Sequence, residues 1–477
     1  MKAESLSGMD SVFVTLDAAN APLHIGIVLE LEPNDATTRD PQVRFSEIKA
    51  TIEKRLGNLS VLRRRVIRVP FDLGPPQLVD DPDFDISFHV VRRAVPSPGD
   101  AKQVEALIGR IMARSLSPDR PLWEISVIEG LEQGRTAILM KIHHALADGV
   151  SGVAVFAELF DLDPTSPREA KDAKAHVAAP IPSQVELLAR SSSELLRRPA
   201  AALEALGSTL ERMADRVDEL VKDLASSTPS LLAAPRTSLS GTVSYARNFE
   251  RFKLDLQQVK EVARSHGGTV TDFAMTIVGG ALRRLLEERG ETPDADLVAF
   301  MPVNIRAPGT EGELGNRISA RLVPMASQTR DPFDRLDMLV ANGKALSKTE
   351  DADSDFLNEV ADAAGPTVAS MAGRLIDAFD LFDHLPPVAN VVVSSIPGPP
   401  VPLWCAGQKI VRATPLGPLM LNQSLNITLL SYIDTLEFGI LACAKKVPDA
   451  TLLREFLIEE AQMLLVEGGS VAHATSA

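Results

Sequence analysis

The chain has 477 residues, of which 45% are hydrophobic and 24% charged, and its formal net charge is −15. This length and composition indicate a globular protein with room for two or three domains, and the negative charge argues against broad binding of nucleic acid. Two cysteines, Cys405 and Cys443, exclude a disulfide framework and a cysteine-rich metal site.

The location of the protein is predicted from what its sequence lacks. The amino terminus has no apolar signal-peptide core, and no run of about 20 apolar residues predicts a transmembrane helix. We therefore expect a cytoplasmic protein, either free or peripheral to the inner face of the plasma membrane or to lipid inclusions.

The first 160 residues alternate between strand and helix patterns. Apolar and β-branched runs predict strands at 23–31, 123–129 and 137–144, and helical spacing predicts helices at 45–56, 103–115 and 150–160. From about 163 to 181 the chain is rich in Pro, Ala and Lys, which indicates a linker.

A long helix is predicted after Pro199, because apolar residues recur at steps of three and four from Leu203 to Leu224. The stripe fits a helix packed along the body of the protein or the seam of a coiled coil. We prefer the packed helix, since a sustained coiled coil normally has more heptads.

The second half repeats the mixed pattern. Helices are predicted at 259–266, 272–288 and 451–465, and strands at 297–305, 317–325, 390–395, 425–433 and 436–444. Two halves of similar content predict two α/β lobes joined by a helical crossover. We place the boundaries at 1–180 for the first lobe, 181–240 for the crossover and 241–477 for the second lobe.

The segment HHALADG, from His143 to Gly149, is the strongest chemical signal in the chain. If the preceding strand alternates regularly, His144 and His143 face opposite sides of the sheet, so the two rings are poorly placed to share a metal ion, and we expect none. One histidine suits proton transfer, because imidazole changes charge near neutral pH. Asp148 and Gly149 also fit a plain helix start, as N-cap and turn residues.

HHALADG is similar to the HHxxxDG signature of the chloramphenicol-acetyltransferase-like acyltransferases, which include peptide-synthetase condensation domains. Other segments resemble one branch of that superfamily, the bacterial wax ester synthase/diacylglycerol acyltransferase family. They are LSGMD at 6–10, PLHIG at 22–26, RPLWE at 120–124, PVNIR at 302–306, GN at 315–316, SSIPGP at 394–399 and LNIT at 425–428. Their order and spread extend the resemblance over nearly the whole chain.

The resemblance implies an α/β (α+β) fold of two chloramphenicol-acetyltransferase-like lobes with an active-site tunnel between them. It implies an O-acyltransferase that moves a fatty acyl group from acyl-CoA to diacylglycerol or a long-chain alcohol, with His144 as general base. Acyl-CoA is then a co-substrate, and no cofactor is expected.

Further site residues also follow from the resemblance. His143, Asp148 and Gly149 complete the catalytic motif, with Asp148 organising the loop through an arginine such as Arg306. The substrate-binding or oxyanion candidates are Thr271, Asp272, Asn304, Arg306 and Trp123. For Asn304 and Arg306 a structural strand end is an equal alternative, and Trp123 is expected mainly to pack rather than to line the tunnel.

Two positions depart from the family pattern, since Thr271 and Ser395 stand where the family usually has Asn. A hydroxyl cannot replace an amide that donates and accepts through separate atoms. One alternative is therefore a catalytically weakened lipid-binding paralogue. A separate alternative is a condensation-type acyltransferase that uses carrier-protein thioesters, against which the PLWE and PVNIR elements count.

Three other features receive ordinary interpretations. His24 and His266 are assigned to structural or surface positions. An apolar stripe at 371–385 fits core packing better than a membrane contact, because aspartates interrupt it.

Overall fold

The computed structural model describes residues 3–6, 8–33, 41–70, 74–147, 152, 155, 158–165, 180–189, 234–304, 318–346, 387–420 and 422–474. The α-helices of this part are α1 (Gly8–Leu16), α2 (Pro41–Arg55), α3 (Ala101–Met112), α4 (Leu256–Ser265), α5 (Val270–Glu288), α6 (Pro332–Leu346) and α7 (Ala450–Ala474). None of the helices in these ranges is both long and apolar enough to cross a bilayer.

The strands belong to three sheets. Those of the first half are β1 (Glu4–Ser5), β2 (His24–Leu31), β3 (Arg64–Ile67), β4 (Gln77–Asp80), β5 (Val90–Ala94), β6 (Trp123–Glu129) and β7 (Thr136–His143). Those of the second half are β8 (Arg247–Asp255), β9 (Val298–Asn304), β10 (Ile318–Pro324), β11 (Val391–Ile396), β12 (Trp404–Cys405), β13 (Gln408–Leu416), β14 (Leu425–Tyr432) and β15 (Thr435–Cys443).

The first large sheet has the order β12-β13-β2-β7-β6-β5, and a small sheet β1-β4-β3 accompanies it. Its central strands β2 and β7 are antiparallel and buried along their whole length. One face carries isoleucines and leucines that share a core with α2. The other face packs on α3, which starts at a capping box between Asp100 and Gln103.

The second large sheet has the order β10-β9-β11-β14-β15-β8, and β11 runs parallel to both β9 and β14. Helices α4 to α7 contribute to one core with this sheet. The core also holds a charged pair, because the fully buried Arg335 of α6 meets the buried Glu460 of α7. Paired in this way, the two charges avoid the large penalty of isolated burial.

The second half of the chain contributes two strands to the first large sheet. β12 and β13 lie at 404–416, far along the second half, but β13 pairs with β2 in the first sheet. At Gly439 of β15, an added Cβ would lie 1.7 Å from the carbonyl oxygen of Pro415 in β13. The two sheets therefore approach so closely that this position requires glycine.

A third hydrophobic cluster lies between the halves. Val28 and Leu139 of the first sheet join Phe249 and Leu441 of the second sheet and the apolar face of α3. This shared core means that each lobe buries part of its apolar surface on the other.

Buried charges also cross this interface. Arg251 of β8 pairs with Glu30 of β2, and its Nε lies 3.5 Å from Oε1 of Glu105 in α3. Burial raises the pKa of Glu105 to about 7, although Arg251 opposes that shift. Arg412 of β13 donates to Glu437 of β15 at 2.8 Å, so a second ion pair joins the sheets.

The structure confirms the predicted mixed fold with two sheet-rich lobes. β6 coincides with its prediction, β2 and β14 differ from theirs by one residue at one end, and β7 and β15 begin and end one residue earlier than predicted. The linker predicted at 163–181, the long helix at 203–224 and the stripe at 371–385 lie largely or wholly outside the described residues. The domain boundaries remain predictions. They assign β12 and β13 to the second lobe, although these strands join the first sheet.

We predict that Glu105→Gln changes the pH dependence of stability. The folded state retains the Glu105 proton up to about pH 7 while the unfolded chain releases it near the ordinary glutamate pKa, so the free energy of unfolding falls between these values. Glutamine removes this loss, and urea denaturation should find the variant more stable than the parent by about 1–3 kcal/mol at pH 8 and similar at pH 4.5. Glu261→Gln, at an exposed position of α4, is the control. An equal difference between variant and parent at both pH values would contradict the prediction.

Candidate active site

The turn that follows β7 places the two histidines of the motif in different surroundings. The strand ends at His143, where the Leu146 N–H donates to the His143 carbonyl at 2.9 Å. The His144 N–H donates to the carbonyl of Leu23 in the neighbouring segment, also at 2.9 Å. Backbone bonds to the turn itself and to the start of β2 thus fix the position of His144.

The His144 ring is half-buried and stacks on Phe13 of α1. The ring centroids are 4.2 Å apart and the planes differ by 19°. Stacking on Phe13 limits the orientations of the imidazole. A general base needs such a fixed orientation, because its nitrogen must point at the proton that it accepts. The three residues after His144 are buried in the core of the first lobe.

His143 is 2% exposed and makes a specific backbone contact. The Ala145 N–H donates to its Nδ1 at 3.1 Å, so Nδ1 carries the lone pair and the hydrogen of the neutral ring is on Nε2. This Nε2 lies 3.6 Å from Oδ1 of Asp17, which follows α1. Oδ1 also accepts the Leu23 N–H at 2.8 Å.

His24 completes a cluster with these groups. It lies opposite His143 in the β2–β7 register, and the ring centroids are 5.7 Å apart. Burial lowers the pKa of His24 well below its usual value, and the positive charge of Lys141 lowers it further. His24 is therefore neutral at working pH.

Lys141 belongs to the same sheet face but has its own partners. Its ammonium donates to the carbonyls of Ile111 and Arg114 at 3.0 and 2.8 Å, at the carboxyl end of α3. Burial lowers the pKa of Lys141 to about 8. The helix end, with its exposed carbonyls, stabilises the charged form.

Asp17, His24 and His143 are the ligand-type side chains that lie close enough to hold a metal ion in the described part of the chain, with their donor atoms within 4.8 Å of one another. The hydrogen-bond pattern does not fit a metal, however. Coordination through His143 Nε2 would leave the ring hydrogen on Nδ1, where it would face the Ala145 N–H donor.

Trp123 begins β6 and is buried. Its indole N–H donates to the Leu62 carbonyl at 2.7 Å, and its ring stacks on His89 with centroids 4.4 Å apart. The same side chain borders a small apolar cavity with Ile125, Met140 and Val155. Trp123 thus packs against its neighbours and also lines a void in the first lobe.

The structure places the remaining predicted residues in several regions. Thr271 and Asp272 lie in the first turn of α5, where Asp272 accepts the Thr269 N–H at 2.7 Å in a capping box. Asn304 is the last residue of β9, and its side chain is not described. Asp148, Gly149 and Arg306 lie outside the described residues, so their predicted roles remain predictions.

The sequence patterns do not indicate the contacts of Phe13 and Asp17, and they predict only a structural or surface position for His24. Phe13 and Asp17 belong to the segment that begins at LSGMD, but the resemblance gave neither a role. The structure pairs His24 directly with His143, but two predicted antiparallel strands do not by themselves fix this register.

Comparisons with known proteins identify the family to which the chain belongs. Residues 6–274 match the wax ester synthase/diacylglycerol acyltransferase catalytic domain, and residues 314–464 match the C-terminal domain of the same family. A Mycobacterium tuberculosis protein named "Probable diacylglycerol O-acyltransferase" is 32% identical over 427 residues, which cover 87% of this chain and 87% of that protein.

Two solved structures have a similar fold. The wax ester synthase/diacylglycerol acyltransferase from Marinobacter aquaeolei VT8 superposes with a TM-score of 0.67 at 23% identity, covering 98% of this chain and all of that one. The starter condensation domain of rhizomide synthetase superposes with a TM-score of 0.53 at 14% identity, covering 97% and 95% of the two chains.

We predict that removing metal ions leaves the protein intact, because the His143 hydrogen bond opposes coordination. After dialysis against a chelator, the melting temperature should equal that of the untreated protein, and added Zn²⁺ should not raise it. A melting temperature that falls on chelation and recovers with Zn²⁺ would establish a metal site instead.

Proposed function

Because the chain belongs to the wax ester synthase/diacylglycerol acyltransferase family, we propose that it transfers a fatty acyl group from acyl-CoA to the hydroxyl of diacylglycerol or a long-chain alcohol. The products are triacylglycerol or wax ester, together with free CoA. The observation that carries this proposal is the His144 imidazole, held by a backbone-fixed turn and stacked on Phe13.

His144 acts as the general base in the proposed mechanism. It accepts the hydroxyl proton while the alcohol oxygen attacks the thioester carbonyl and forms a new C–O bond. The C–S bond then breaks, and the proton passes from His144 to the departing sulfur of CoA. The enzyme forms no covalent acyl intermediate in this sequence, so a Ser or Cys nucleophile is not needed.

The other candidates have supporting roles. Thr271 offers a hydroxyl at the first turn of α5 that can donate to the developing oxyanion, and Trp123 contributes to the apolar lining. Asp272 takes part in capping α5, which supports a structural role for its carboxylate. For Asp148 and Gly149 we propose the role that the family resemblance implies, organisation of the loop after His144. Asn304 and Arg306 remain candidates for substrate binding.

The reaction needs no cofactor, since acyl transfer from a thioester to an alcohol exchanges no electrons and consumes only the two substrates. Diacylglycerol and long-chain alcohols partition into lipid phases. We therefore propose that the protein works in the cytoplasm at a lipid surface, either the inner face of the plasma membrane or a lipid inclusion. The net charge of −15 means that the acyl-CoA phosphates require a local basic surface.

The two alternatives are less well supported. A lipid-binding paralogue rests on Thr271 and Ser395 alone, and the HHxxxDG motif is intact. A condensation-type enzyme would need carrier-protein thioesters, whereas the family match and the named relative point to acyl-CoA chemistry.

The decisive assay offers labelled palmitoyl-CoA with diacylglycerol and with hexadecanol in parallel, with the products separated by chromatography. We expect neutral lipid from the parent chain and a loss of roughly 10²- to 10⁴-fold in His144→Ala, the usual contribution of a general base. His266→Ala is the matched control, because this histidine pairs with Asp337 in the other lobe. Binding of palmitoyl-CoA without turnover of either acceptor would favour the lipid-binding alternative.

Phe13→Ala should lower kcat because it removes the surface on which the His144 ring rests. We expect a loss of roughly 10- to 100-fold, the range produced by misplacing a reacting group by about 1 Å, with little change in KM for acyl-CoA. Phe13→Tyr retains the ring and should keep most of the activity. Equal losses in both variants would remove Phe13 from the mechanism.

A further inference from the structure

Asp17 lies beside the two hydrogen bonds that support the turn carrying His144. One support is the backbone bond from His144 N–H to the Leu23 carbonyl, and Asp17 Oδ1 accepts the N–H of the same Leu23 at 2.8 Å. The other is the bond from Ala145 N–H to His143 Nδ1, and Asp17 Oδ1 lies 3.6 Å from the Nε2 of that ring.

The orientation of the His143 ring matters because one of its nitrogens accepts a hydrogen bond and the other carries the hydrogen. Nδ1 must present its lone pair to Ala145, which leaves the hydrogen on Nε2. A rotation of the ring by 180° about χ2 would replace Nδ1 with a carbon and leave the buried Ala145 N–H without this acceptor. A buried donor without an acceptor destabilises the fold, so the observed ring orientation is favoured.

The surroundings of His143 identify Asp17 as the group that opposes this rotation. The neighbouring His24 is neutral, and the ammonium of Lys141 is bound to carbonyls of the α3 end. The Asp17 carboxylate is the negative charge that faces Nε2–H. At 3.6 Å the contact is longer than a hydrogen bond, so its attraction is electrostatic.

We propose that Asp17 is a positioning residue for the acyl transfer: its carboxylate attracts the Nε2–H of His143, and this fixes the ring whose Nδ1 holds the turn that carries His144. The proposal rests on the proposed function for its catalytic consequence. The arrangement has the form of an acid–histidine pair, but here the histidine is a structural support, and the neighbouring histidine accepts the proton.

The first experiment reads the His143 ring directly and does not need turnover. In protein labelled with ¹⁵N-histidine, the buried Nε2–H should give a downfield proton resonance, assigned by its disappearance in His143→Asn. We expect Asp17→Ala to move this resonance upfield or broaden it beyond detection. Asp17→Asn, which removes the charge but keeps an acceptor for the Leu23 N–H, should change the resonance in the same direction. Asp337→Ala, in the remote His266–Asp337 pair, should leave it unchanged.

The second experiment separates this role from the bond between Asp17 and Leu23. Asparagine at 143 can present its side-chain oxygen near the position of Nδ1, but it has no group at the position of Nε2. We expect Asp17→Ala to lower kcat by roughly 10-fold in the parent, with KM for palmitoyl-CoA within about twofold, and to lower it by less than about twofold in a His143→Asn background.

An unchanged ring resonance in Asp17→Ala, or an equal loss of kcat in both backgrounds, would overturn the proposal and leave Asp17 as a support for Leu23 alone. If the parent chain shows no acyl transfer, the proposed function fails, while the ring resonance still decides the role of Asp17.

Discussion

The antiparallel pairing of β2 with β7 is the constraint on which the site depends. Its register sets His24 opposite His143 at one end and Glu30 opposite Ala137 at the other. At the first end the strand stops, and His144 enters a turn that reaches back to Leu23. At the second end Glu30 meets Arg251 of the other lobe. One ladder of backbone hydrogen bonds thus joins the catalytic turn to the interface between lobes.

The two faces of the sheet that contains β2 and β7 differ in polarity. The face that carries Ile138 and Met140 is apolar and forms the main core of the first lobe. The opposite face carries His143, Lys141 and Glu30 against α3 and the second lobe, and each of these three groups has an oppositely charged or dipolar neighbour. The buried ring nitrogens of His24 on the same face have no hydrogen-bond partner among the described residues. These pairings lower the free-energy cost of burying polar and charged groups near the site.

Prediction from sequence succeeded where one segment carries its own signal and failed where the signal lies in a distant partner. Apolar and polar residues alternate along most of β6, and this local pattern predicts both of its ends correctly. β8 was missed, because Arg251 is buried only by virtue of Glu30 and Glu105, which come from other elements. The motif identified His144, but its contact with Phe13 and the position of Asp17 depend on how α1 approaches the turn, and no local pattern encodes that approach.

The pairing of β13 with β2 in the first sheet has a consequence for synthesis on the ribosome. β2 and β7 emerge early, but β13 follows β7 by more than half of the chain, from 143 to 408. Until then β2 presents an unpaired, apolar edge, which is a template for pairing with another nascent chain. A fragment that ends before residue 404 lacks β12 and β13, so this edge of β2 stays unpaired. We therefore expect the first lobe to aggregate when it is expressed alone. In the full chain, pairing with β13 covers the edge.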